Sequence, residues 1–295
     1  MARVVGGQSD TGRLRRVAVK RAHDAFGTDA LVERQWRDLR YTAPPDLAAA
    51  ERESERFLAL LTKAGIEVTC LPSDAAVGLD SLYVRDASLV CERGVILCSM
   101  GKPQRRTEPG AQEAFFRSAG LPIHGRIGGG GTLEGGDVCW IDEKTLVVGR
   151  GYRTNDEGIR QLRALLADVV DDLIVVPLPH WRGPEDVFHL MSIVSPIDKD
   201  LWLVHAPLLP VPFREALLAR GIELVEVAGA EFEALGCNVL AIAPRRAVMV
   251  AGNAETRRRL ERAGVEVDEF PGQEICLKGG GGPTCLTRPL LRDPK

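Results

Sequence analysis

A helical run that ends in a small residue and leads into a short β-branched run recurs five times along this chain of 295 residues. The copies are "LTKAGIEVTCLP" (61–72), "FRSAGLPIHGRI" (116–127), "LADVVDDLIVVPLP" (166–179), "LARGIELVEVAG" (218–229) and "ERAGVEVDEFPG" (261–272). Their small residues are Gly65, Gly120, Asp172, Gly221 and Gly264, so the copies lie 55, 52, 49 and 43 residues apart. That spacing is the length of one supersecondary unit. Paired apolar runs stand between the copies, such as "SLYVRDASLVCERGVILC" and "CNVLAIAPRRAVMVAG", and read as β-hairpins. Each unit is therefore β-β-α-β. In the helix of the first, Phe57, Leu58 and Leu61 share one face and Gly65 is the C-cap; in the last, Asn253 is the N-cap.

The fifth unit lacks a strand. "PTCLTRPLL" supplies one run, while "RLRRVAVKRA" (13–22) has no partner elsewhere. Pairing 13–22 with 284–291 closes the units into a ring and protects the sheet edges. The expectation is an α/β fold of five units in pseudo-fivefold arrangement, with residues 1–295 forming a single domain closed by its terminal strands. A ring has an axis, and the first strand of each hairpin should point toward it. The corresponding positions carry Asp86, Glu134 with Asp137, His189, Asn238 and Cys285. Burying such groups unpaired costs roughly 1–3 kcal/mol each, so a shared site explains them better than a core does.

Lys plus Arg number 38 against 41 for Asp plus Glu, a net charge of -3. That balance gives no electrostatic case for a nucleic acid or an anionic membrane partner. The opening "MARVVGGQSDTGRLRRVAVKRAH" has no apolar signal core, and no run approaches the ~18 residues that span a bilayer. A cytoplasmic protein is expected. Seven cysteines, an odd number without a C-x-x-C pair, and five scattered histidines argue against a disulfide framework and a zinc site.

Cys285 follows "KGGGG". A phosphate-binding loop would place its Lys-Ser/Thr after the last glycine, so that reading fails on order. A lone cysteine is most often a small buried hydrophobe. His189, in "VFHLMS" after Val187 and Phe188, has the setting of a core histidine. In register on one axis, the two become a nucleophile and its acid–base partner. "TLEGGDV" and "YVRDASL" read alone as strand ends with solvated acids. Facing one cavity, Glu134 and Asp86 repel each other and favour a planar cation rich in N–H donors, which describes a guanidinium. Arg153, in "GRGYRTN", and Arg105 or Arg106, in "KPQRRTEP", are candidates for holding a substrate carboxylate.

"LEGGDV…GRGYRTNDEG", "FHL", "GCNVLAI" and "GGGGPTCLTRPL" together resemble the guanidino-group-modifying superfamily, particularly dimethylarginine dimethylaminohydrolase and its arginine deiminase relatives, over essentially the whole chain. The resemblance implies a five-bladed α/β-propeller of ββαβ units. It implies Cys285 as covalent nucleophile, His189 as general acid/base and Glu134 as the carboxylate beside them. Asp80 and Asp86, six residues apart, would bind substrate nitrogens, and Arg105 and Arg153 the amino acid's carboxylate. No metal or organic cofactor is implied. The activity implied is hydrolysis at the guanidinium carbon of arginine or N-methylated arginine through a Cys-thiouronium adduct. Arginine deiminase, an amidinotransferase and a non-catalytic binding protein on the same scaffold are the alternatives. Dimethylargininases tend to carry Glu-Asp where this chain has Arg85-Asp86. Deiminases tend to carry an acid two residues after the histidine, where this chain has Met191, and an apolar Met191 favours N-methyl groups. The expected partners are a small guanidino molecule and a second copy of the chain in a homodimer, with neither nucleic acid nor membrane.

Overall fold

Short apolar runs joined by tight turns pair with their neighbours in sequence, and the middle strand of each resulting sheet gains a partner on both sides. A computed structural model describes residues 5–186 and 188–294. Met1–Val4, at the start of the segment read for a signal core, and Val187 beside His189 lie outside them. The described strands form five sheets of three. Four follow one pattern: β3 (Ser88–Cys91), β4 (Gly94–Leu97) and β5 (Ile123–Arg126); β6 (Val138–Trp140), β7 (Thr145–Arg150) and β8 (Asp172–Pro177); β9 (Val194–Asp198), β10 (Leu201–Val204) and β11 (Glu223–Glu226); β12 (Leu240–Ala243), β13 (Arg246–Val250) and β14 (Glu266–Phe270). In each, the first two strands pair antiparallel and the second pairs parallel with the third.

The fifth sheet is built from both ends of the chain. β1 (Leu14–Lys20) pairs antiparallel with β15 (Arg288–Arg292), with Val17 opposite Pro289, and parallel with β2 (Glu67–Leu71), with Val17 beside Val68. β1 is thus the central strand of its sheet, and this pairing closes the five-bladed α/β-propeller.

Helices α1 (Ala22–Phe26), α2 (Asp29–Gln35) and α3 (Leu47–Lys63) connect β1 to β2, while α4 (Glu108–Ser118), α5 (Asp156–Leu165), α7 (Val211–Ala219) and α8 (Ala254–Arg262) make the other parallel crossovers. One-turn α6 (Leu190–Ile193) precedes β9. Every residue of β4 and β10 is buried, which is why these strands read as unbroken apolar runs without alternation. α3 starts where Asp46 accepts the Ala49 N–H at 2.7 Å and lays Phe57 and Leu61 against Val17, Val19 and Phe270. Four of the five repeat residues, Gly65, Gly120, Gly221 and Gly264, have φ between 70° and 80°, the left-handed turn that ends a helix. Asp172 instead opens β8. Asn253 occupies the N-cap of α8, but its amide donates to the Ala234 and Val250 carbonyls. Among the described residues no helix is long and apolar enough to cross a membrane.

The sequence places the axial polar residues in the first strands. They lie instead on the turns just before those strands: Asp86 before β3, Glu134 and Asp137 before β6, His189 before β9, Asn238 before β12 and Cys285 before β15. The physical reason is that a strand interior commits its backbone to the ladder, whereas a turn leaves side chains free to converge.

Deleting residues 1–22 removes the middle strand of the closing sheet. We expect loss of cooperative unfolding or a collapse of Tm in calorimetry; an unchanged Tm would show that the ring does not depend on its closure.

Candidate active site

Glu134 has no exposure and gathers donors from several blades. Its Oε1 accepts the N–H groups of Gly101 at 2.9 Å and Lys102 at 3.1 Å. Its Oε2 faces His189 Nε2 at 2.7 Å and accepts from Arg153 Nη1 at 3.2 Å. Burial opposes a charge here, but the His189 hydrogen bond and cation and the Arg153 cation hold the carboxyl well below its usual range. Burial likewise opposes a charged His189, yet Asp86, Asp137 and Glu134 push the ring up to about 9. The two therefore stand as a buried ion pair at neutral pH.

The loop bearing His189 is pinned from both sides. Its backbone N–H donates to Ser192 Oγ at 3.0 Å, and the next N–H, of Leu190, donates to Asp137 Oδ1 at 2.9 Å. Asp137 Oδ2 accepts from Thr154 Oγ1 at 2.6 Å, and that hydroxyl accepts the Glu134 N–H at 3.2 Å. Burial raises the Asp137 carboxyl to about 6. Thr154 carries no signal that a sequence reading finds, because a threonine after a loop arginine has many ordinary uses.

Cys285 sits in a turn with Asn238 Nδ2 donating to its Sγ at 3.3 Å. Asn238 Oδ1 in turn accepts Thr284 N–H at 3.1 Å and Thr284 Oγ1 at 2.7 Å, which fixes the amide's orientation. Burial first, then the Asp86 charge, push the thiol up, against the hydrogen bonds from Asn238 and Thr284.

The glycines before it are required by packing rather than by looseness. A Cβ on Gly279 would lie 2.0 Å from Tyr83 Oη, one on Gly281 2.5 Å from Tyr83 Cε1, and one on Gly282 2.5 Å from Asn238 Cγ, while Gly280 has φ +78°. A π-helical turn, Gln273–Leu277, leads into this run, and buried Glu53 of α3 accepts the N–H groups of Gln273, Glu274 and Ile275 at 3.0, 2.8 and 3.1 Å. Glu53 escapes a sequence reading because one more glutamate in a charged helix looks like a solvated face.

Asp86 Oδ1 accepts the Gly136 N–H at 2.9 Å and its Oδ2 pairs with Arg105 Nη1 at 2.6 Å. Burial opposes its charge, but His189 and Arg105 keep its carboxyl below the usual value. Arg105 is buried and spends its other donors on Glu108, at 2.9 and 2.8 Å, and on the Tyr83 and Asp80 carbonyls. Arg106 is exposed. Asp80 Oδ2 accepts Lys102 Nζ at 2.6 Å, a partner that the sequence reading did not foresee. Arg153 Nη2 reaches the Asp186 carbonyl at 3.3 Å.

Two cavities meet at Cys285 and His189. A small inner one, of about 20 Å³, is lined by Asp80, Asp86, Lys102, Arg105 and Arg153. An outer one, of about 240 Å³, is walled by Arg40, Trp181, Phe188, Met191, Phe232 and Leu235. Atoms of Asp86, Glu134 and His189 lie within 4.8 Å of one another, a spacing that a metal ion would accept. However, His189 Nε2 is bound to Glu134 and Asp86 Oδ2 to Arg105. The carboxylates that line the inner cavity, Asp80 and Asp86, suit a cation with diffuse charge and several N–H donors.

The family model described as arginine deiminase matches residues 80–217 and 206–292. The N(G),N(G)-dimethylarginine dimethylaminohydrolase of Streptomyces coelicolor is 32% identical over 211 residues, 70% of this chain and 73% of that protein. An arginine deiminase of Mycobacterium marinum is 32% identical over 195 residues, 55% of this chain, which spans 47% of the deiminase's length. A solved dimethylarginine dimethylaminohydrolase from Pseudomonas aeruginosa, a cysteine-to-serine mutant complexed with citrulline, superposes with a TM-score of 0.75 at 24% identity, over 94% of this chain and 99% of that one.

His189, raised from 6.5 to about 9 in the folded chain, adds stability that is full below the ordinary value and is lost as pH rises through about 9. We expect the imidazole resonances of His189 to titrate near that value by NMR, and Glu134→Gln to lower the midpoint by about one unit or more. A midpoint at or below the ordinary value in the unaltered protein would contradict the ion pair.

Proposed function

This chain belongs to the arginine deiminase family, and we propose that Cys285 is its nucleophile, His189 its proton donor and acceptor, Glu134 the carboxylate that orients His189, and Asp80 with Asp86 the binders of substrate nitrogens. It is a hydrolase of the guanidino group of arginine or methylated arginine and forms citrulline. The observation that carries the assignment of roles is the convergence of Cys285, His189, Asp80 and Asp86 on the inner cavity, with Glu134 buried behind the imidazole.

The resting thiol is protonated because burial and Asp86 disfavour a second negative charge. A guanidinium seated in the inner cavity against Asp80 and Asp86 brings a positive charge beside the sulfur and removes that obstacle, so substrate binding itself favours the thiolate. The thiol proton leaves to solvent. The thiolate then forms the S–C bond at the guanidinium carbon. The C–N bond to the departing nitrogen breaks as the His189 imidazolium donates a proton to it, and an amine leaves. A thiouronium adduct on Cys285 and a neutral His189 remain. His189 next takes a proton from water, the oxygen bonds to the same carbon, and the C–S bond breaks to give a ureido product and free Cys285. The Glu134 carboxylate keeps the imidazole oriented through both transfers and favours its charged form.

Arg105 is assigned to orienting Asp86 rather than to a substrate carboxylate, since Glu108, Asp86 and two carbonyls occupy its donors. Arg153 is left as the inner cavity's candidate for that carboxylate. Lys102 acts in the same way on Asp80. Met191 is buried and lines the outer cavity beside Phe188, which supports the choice of N-methylated arginines as preferred substrates over arginine. Contact with one methyl group is worth roughly 1–3 kcal/mol, enough for preference and too little for exclusivity.

Ureido product should therefore form with a higher kcat/KM from N-monomethyl- and asymmetric dimethylarginine than from arginine, by about ten- to a hundredfold. Met191→Asp should shrink or reverse that ratio. A preference for arginine in the unaltered protein, strengthened by Met191→Asp, would leave a deiminase on the same chemistry. Ureido product formed only with an added amine acceptor would indicate amidino transfer.

A further inference from the structure

The outer cavity is larger than an N-methyl group needs. Its volume of about 240 Å³ exceeds the roughly 150 Å³ of an apolar protein cavity that takes up benzene. Methyl groups on a substrate nitrogen would leave most of it unfilled.

Apolar side chains wall it beside the reacting groups. Phe188 immediately precedes His189 and Met191 follows it by two residues, while the Leu235 carbonyl accepts at 2.9 Å the N–H of Asn238, whose amide holds the Cys285 sulfur. Trp181 joins the wall to Phe232, with ring centroids 6.1 Å apart and planes at 83°, and lies 6.4 Å from Phe188. His205 lies flat against Phe232, centroids 3.6 Å apart and planes within 10°, and so holds that ring in place. Trp181, Phe188, Phe232 and Leu235 are half-buried, and covering the rest of their apolar surface is what an apolar occupant gains.

The backbone gives a second, independent indication. Four non-glycine residues among those described have positive φ, and three of them, Arg40 at 67°, Trp181 at 50° and Leu235 at 62°, line this one cavity. A bulky side chain in the left-handed region is strained, and such residues cluster at ligand clamps, where the surrounding structure imposes the conformation. The cations that line the cavity are matched: Arg40 pairs with Glu185, Arg85 with Asp10, Arg182 with Glu233 and Lys278 with Glu274. An uncharged occupant therefore suits it better than an ion.

Resting on the roles given above to Cys285 and His189, we propose that the outer cavity receives the substituent of the departing nitrogen, and that guanidines carrying an uncharged arylalkyl group there are preferred over N-methylated ones. His189 lines both cavities, which puts the proton donor at the boundary where the substituted nitrogen sits. The Cys285 sulfur bonds to the guanidinium carbon, the C–N bond to the substituted nitrogen breaks, and His189 gives that nitrogen the proton with which it leaves as a primary amine. Water then supplies the ureido oxygen as the C–S bond breaks.

The test compares ureido formation by the full chain from arginine benzylated on a terminal guanidino nitrogen with that from N-monomethylarginine. The expected result is a kcat/KM about tenfold or more higher for the benzyl compound, with benzylamine released in equal amount. Leu235→Trp, which fills the cavity, should bring that ratio to one or below. If that variant does not fold, a Cys285→Ser crystal soaked with the benzyl compound decides: the ring should lie against Trp181, Phe188 and Phe232, and a ring in solvent overturns the inference. A benzyl compound turned over no faster than N-monomethylarginine, with citrulline still formed from the latter, overturns the inference and leaves hydrolysis of methylated arginine standing. Ureido product from neither compound would overturn the roles of Cys285 and His189 as well.

Discussion

Everything at the centre of this ring is arranged around the 2.7 Å contact between His189 and Glu134. A carboxylate with no exposure is tolerable only if its lone pairs are filled, and Glu134 fills them with two backbone N–H groups, an arginine and the imidazolium. The same contact keeps a buried histidine charged, which is the state that a proton donor to a departing amine needs. Removing His189 leaves Glu134 with Arg153 as its cationic partner, and removing Glu134 leaves the imidazole without its hydrogen-bonded carboxylate, so either loss weakens the balance of buried charge.

Around that pair the chain spends most of its polar residues on holding other polar residues. Asp137 and Thr154 fix the His189 loop, Asn238 and Thr284 fix the sulfur, and Arg105 with Glu108 fixes Asp86. Part of that orientation comes from contacts between blades, Asp137 with Leu190 and Asn238 with Thr284 and Cys285, and part from within a repeat, Asp86 with Arg105 and Glu108. It follows that closure of the ring through β1 and β15 and geometry of the site are one problem, because a blade that shifts carries its turn with it. The four glycines belong to the same logic. Gly279, Gly281 and Gly282 let Tyr83 and Asn238 press against the Cys285 turn where a Cβ would push them away, and Gly280 supplies the positive φ.

Much of this was legible in the sequence for a simple reason. A fivefold repeat with a polar residue at one position per copy brings those residues to one axis whatever the details, so Asp86, Glu134, His189, Asn238 and Cys285 were found without a structure. Their exact placement was not, since hairpin periodicity does not distinguish the first strand from the turn that enters it. Partnerships between distant side chains were beyond reach too. Nothing local to "KPQRRTEP" says that Lys102 turns to Asp80 or that Arg105 is consumed by Glu108 and Asp86, because those choices depend on which loops the ring sets side by side.

The central claim is that substrate carbon becomes bonded to the Cys285 sulfur. Acid quenching of the enzyme during turnover of a methylated arginine, followed by peptide mass spectrometry, measures that directly. The expected result is a mass gain on the peptide containing Cys285 equal to the substrate less its departing amine, absent from the peptides of Cys70 and Cys276. Unmodified Cys285 at every quench time, with full turnover retained by Cys285→Ser, would contradict it.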